Sequence, residues 1–97
     1  MSDDDEDASI MEQAETLKRL MAETLSANPQ AFDRLSRAIH KALKGLPRVL
    51  ALTAMADVLS HDLVAVDPVE RKVVLAAFAT MTLEMTAIRD TMGQTRQ

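Results

Sequence analysis

The sequence predicts an all-α protein, and three observations carry that reading. Hydrophobic residues make up 47% of the 97, yet only 2% are aromatic, so the apolar side chains are Leu, Val, Ile, Ala and seven Met. Leu, Met and Ala lose little rotamer freedom in a helix. Two Gly and three Pro leave little material for turns, which means few connections. Apolar residues also recur at helical spacing in four segments, separated by Asn-Pro, Gly and Asp-Pro signals. The chain is long enough for one domain with a modest core. Its short connections favour a small four-helix bundle or a pair of antiparallel helical hairpins.

The acidic run "DDDED" at residues 3–7 comes first. It supplies −5 of a net charge of −4 and leaves the rest of the chain near +1. Like-charge blocks stay solvated, so residues 1–8 are expected to form a disordered tail, residues 9–93 the helical domain, and residues 94–97 a frayed end. The first helix is expected to start at Ser9, where "SIME" matches a capping box with Glu12 reaching back. Ile10, Ala14, Leu17, Met21 and Thr24 form its apolar stripe. Asn28 then caps a second helix with Pro29 at its first position, where the missing N–H costs nothing. Phe32, Leu35, Ile39, Ala42 and Leu43 make its apolar face, and Gly45 closes it. Pro47 opens a third helix expected to run through residue 66. "DPVE" at residues 67–70 starts a fourth that ends before Gly93.

The third and fourth helices each hold a stretch without charge, residues 49–56 and 73–83. In the fourth, Val74, Ala77, Phe78, Met81, Met85, Ile88 and Met92 are expected to face the core. Ala76, Ala79, Leu83 and Ala87 lie on the other side, where small residues let another helix approach. A chain of this size has little room to bury two such helices, so the surplus is expected to be covered by a second copy, most simply in a two-fold dimer.

Composition excludes several functions. Cysteine is absent, which removes disulfides, thiolate metal sites and a cysteine nucleophile. No apolar run reaches the ~20 residues that span a membrane. The acidic N-terminus is unlike a secretory signal or transit peptide, so the expected location is cytoplasmic. No cofactor motif is present; with two glycines there is no Gly-rich phosphate loop.

A basic row offers one candidate surface. Arg34, Arg37, Lys41 and Lys44 recur at +3, +4, +3 opposite the apolar face of the second helix, with His40 beside them and Arg48 past the turn. Such a row suits an acidic protein partner or a phosphate backbone. The acidic pI near 5.0 and the lack of aromatic stacking side chains argue against nucleic acid.

Two histidines offer chemistry. "SHDL" (Ser60, His61, Asp62, Leu63), preceded by "ADV", resembles the phosphoacceptor box of sensor histidine kinases, which sits on a helical hairpin that dimerises into a four-helix bundle. The resemblance implies His61 as phosphoacceptor and Asp62 as acid/base helper in a phosphotransfer or regulator-binding module. It covers about seven residues; the pattern's basic residue, small polar residue and proline are replaced by Val64, Ala65 and Val66. "HKALKG" around His40 resembles the histidine–lysine–glycine signature of phosphotransfer domains, with one residue too many before Lys44. The plainer reading of both is a helix histidine without a chemical role.

Asp57, His61 and Asp62 fall short of the three or four convergent ligands a metal needs. Met55, Met81, Met85 and Met92 sit at core spacing, so packing is their default role, although methionine also adapts to varied partners. The sequence therefore leads to a small non-enzymatic protein–protein interaction module: an adaptor, antagonist or chaperone-like regulator. Its third and fourth helices would grip the partner, and the basic row would form a rim. A histidine phosphotransfer module is the alternative, and a nucleic-acid-associated accessory protein a weaker one.

Overall fold

The computed structural model describes the backbone of residues 3–95 and the side chains of residues 5–93. Among the described residues the chain is all-helical, with four helices and no strand: α1 (Asp3–Ala27), α2 (Pro29–Leu43), α3 (Arg48–Leu63) and α4 (Pro68–Thr95). They divide into two compact units. One joins α1 up to Met21 with α4; the other is Ala22–Asp67.

α1 begins at Asp3, not at Ser9. The acidic run expected as a solvated tail is helical from that residue, because carboxylates in a first turn are stabilised by the helix N-terminus. Residues 1–2 of the expected tail lie outside the described residues. Ser9 sits within the helix, where its Oγ accepts a hydrogen bond from Gln13 Nε2 at 3.1 Å instead of capping.

α1 and α4 pack through a narrow dry seam. Ala14 (2% exposed), Val73 (7%) and Ala77 (0%) are its buried residues, flanked by Ile10, Leu17, Met21 and Ala76. Small side chains at Ala14 and Ala77 let the two backbones approach. The pair runs parallel: Lys72 reaches Glu6 at 3.5 Å and Lys18 reaches Glu84 at 2.6 Å, with a sequence offset of 66 in both. An up-down-up-down bundle would set a first and fourth helix antiparallel. Parallel pairing puts two positive helix ends side by side, and Asp5, Glu6, Asp7 and Glu70 in those first turns offset that repulsion.

α4 turns differently from expectation. Val73 and Ala77 face α1, so Phe78, Met85, Ile88 and Met92, expected in the core, are exposed. Among the described side chains past Met81, none on α4 is buried. The helix also continues through Gly93 to Thr95; the expected frayed end is helical that far, and residues 96–97 lie outside the described residues.

In the second unit the punctuation works as the residue types dictate. Pro29 opens α2 after Asn28, but Asn28 does not cap with its side chain; its Nδ2 donates backward to the Thr24 carbonyl at 2.9 Å. Gly45 takes φ +82, a conformation that disfavours any side chain with a Cβ, and reverses the chain toward Pro47 and α3. α3 stops at Leu63, three residues before the expected end. β-Branched Val64 and Val66 hold a helix weakly, and Asp67 precedes Pro68, which pushes it out of helical geometry. No described residue of α2 or α3 is buried.

Candidate interaction surface

The basic row forms as the spacing requires. Arg34, Arg37 and Lys41 lie exposed along α2, Lys44 is exposed just past its end, and Arg48 is the first residue of α3. Arg37 pairs with Asp33 one turn back at 3.1 Å, an exposed contact worth a few tenths of a kcal/mol. Among the described residues, no carboxylate lies within 4.0 Å of Lys41 or Lys44. His40 and Lys41 stand in the last turn of α2, where the helix C-terminus favours cations.

Beside this row lies an apolar groove. Phe32, Leu35, Ser36, Ile39, His40 and Leu43 of α2, with Met55 of α3, line a cavity of about 360 Å³. A second hollow of about 530 Å³ is lined by His40, Lys41, Leu43 and Lys44. His40 and Leu43 belong to both, so the apolar groove opens onto a basic mouth. Met55, expected at a core position, is a groove residue. Its role was hidden because only contact between separate helices reveals it.

The small-residue face predicted on α4 is divided. Ala76 packs beside the buried seam against α1, whereas Ala79, Leu83 and Ala87 are exposed. Periodicity misplaced Ala76 because a helix uncharged over residues 73–83 gives no polar side from which to orient it. Thr82 and Thr86 donate their hydroxyls to the carbonyls of Phe78 and Thr82 at 2.7 and 2.8 Å. Their polar groups are thereby spent on the helix itself, and the outer side of α4 stays apolar in effect.

The pKa of Lys18 is raised. Lys18 lies between Glu84 at 2.6 Å and Glu15 at 3.0 Å. Hydrogen bonds first to Glu84 and then to Glu15 hold its ammonium above the ordinary lysine value of 10.5. Its place at the α1–α4 seam makes it a structural group, and neither of its partners was singled out from the sequence.

His61 is 81% exposed, and the carboxylate beside it is that of Asp57, one turn back at 3.9 Å. Asp62, the helper implied by the kinase resemblance, is not the residue that meets it. No group of three metal-ligating side chains is present among the described residues, and none of the described helices is long and apolar enough to cross a membrane. The chain matches no protein-family model, and comparison with curated proteins and with solved structures finds no match.

Proposed function

We propose that this chain is a small non-enzymatic protein–protein interaction module, an adaptor, antagonist or chaperone-like regulator, whose helical bundle is completed by a second copy. The observation that supports it is the imbalance between what is buried and what is not. Three residues are buried, while nineteen large apolar side chains among the described residues stay exposed. Apolar side chains left exposed in this number support an association site.

The faces involved are the outer side of α4, with Ala79, Leu83 and Ala87, and the uncharged first half of α3. Arg34, Arg37 and Lys41 of α2, Lys44 just past its end and Arg48 at the start of α3 form the rim. Rim charge of one sign speeds encounter with an acidic partner more than it tightens the complex.

Leu83→Glu, Ala79→Glu and wild type compared by sedimentation velocity, with circular dichroism on the same samples, test the proposal. Leu83 is exposed, so its replacement leaves the seam between α1 and α4 untouched. The expected result is a wild-type dimer and monomeric variants of unchanged helicity. Variants that keep the wild-type mass would refute the assignment of this face.

A further inference from the structure

We propose that the groove of α2 and Met55 receives an amphipathic helix with acidic flanks, carried by a different protein. This rests on the interaction-module reading and names the partner's chemistry. The groove floor runs from Phe32 to Leu43, about 16 Å or three helical turns, which matches a helix presenting apolar side chains three and four residues apart. Phe32 supplies an aromatic anchor, and Met55 adapts to differing side chains.

Charge chooses among the candidates. The only carboxylate on α2 is Asp33, and it is engaged by Arg37. Lys41 and Lys44 stand at the groove's open end without a carboxylate within 4.0 Å among the described residues, next to His40. A partner carrying glutamates beyond its apolar stripe satisfies both parts of the surface at once. A hollow shared by two helices fits a rod-like helix better than the plane of a lipid surface, which a protruding apolar face would suit.

The test is fluorescence anisotropy with a labelled peptide of about 14 residues, its leucines three and four apart and its flanks glutamate. The controls are the same peptide with lysine for glutamate, and vesicles of phosphatidylcholine with phosphatidylglycerol. The glutamate peptide is expected to bind wild type, to weaken about tenfold or more in Lys41→Glu/Lys44→Glu, and to be lost in Leu35→Asp. All three side chains are exposed, and unchanged helicity confirms the fold of each variant. Equal binding of the lysine peptide, or vesicle binding without peptide binding, would overturn the proposal. So would peptide binding that vanishes as the chain self-associates, since the groove would then belong to a second copy. Sedimentation of Leu83→Glu separates the two readings. A self-associating wild type that ignores both peptides sinks the groove alone. Peptide binding with an unchanged Leu83→Glu mass supports the groove and sinks the assembly face.

Discussion

The two units of this chain solve the same problem to different degrees. The α1–α4 unit has a seam of small residues, Ala14 and Ala77, with Val73 between the helices and ion pairs at Glu6–Lys72 and Lys18–Glu84. The α2–α3 unit has larger apolar side chains, among them Phe32, Leu35, Ile39 and Met55, and buries none of its described residues. Large side chains bury only when a facing surface accepts them, whereas alanine buries wherever two backbones come close. The contrast teaches that apolar content alone does not make a core. One unit is self-sufficient along part of its length, and the other presents its apolar residues outward.

The largest expected effect sharpens that contrast directly. Ala77→Leu inserts a bulky side chain where nothing is exposed, and should destabilise the chain by about 1–3 kcal/mol. Ala42→Leu, on exposed α2, should stay within about 0.5 kcal/mol of wild type. Urea denaturation followed by circular dichroism measures both; equal effects would break the distinction between the units.

A smaller effect is expected at Lys18, and it depends on pH. Its pKa is raised in the folded chain, so the stabilisation is fully present below the unfolded value and fades as pH rises through the folded one. The urea midpoint of wild type should therefore fall above about pH 10.5, with that of Lys18→Met starting lower and changing less. Parallel curves for the two proteins across that range would show that the Glu84 and Glu15 contacts contribute nothing.

Much of this was legible from residue types. Pro29, Gly45, Pro47 and Pro68 divide the helices because proline and glycine act on the local backbone, which sequence records directly. The basic row of α2 was legible for the same reason: one helix and one period suffice. The start of α1 was not, since an acidic run can be solvated coil or a favourable first turn, and only the continuing helix decides. The end of α3 is set by β-branched Val64 and Val66 and by Asp67-Pro68, while the apolar period alone runs on to residue 66. Which side of α4 meets α1 was illegible, because residues 73–83 carry no charge to mark an outside. The parallel direction of α1 and α4, and the part Met55 plays in the groove, depend on contacts between distant segments that periodicity does not encode.

The smallest expected effect is at His61. Exposed and 3.9 Å from Asp57, it should be replaceable: His61→Gln is expected to leave the urea midpoint within about 0.5 kcal/mol and the oligomeric mass unchanged. Wild type incubated with a phosphorylated response regulator should gain no acid-labile phosphate. Phosphate appearing on wild type and lost in His61→Gln would make the exposed α3 histidine the working site and the apolar surface secondary.

The central claim is that the apolar outer face of α4, with Ala79, Leu83 and Ala87, is covered by a second copy of the chain. Absolute mass by light scattering, at low and high protein concentration, tests it most directly. The account predicts about twice the chain mass of 10.7 kDa at both concentrations. A single chain mass throughout, together with cooperative unfolding, would contradict it.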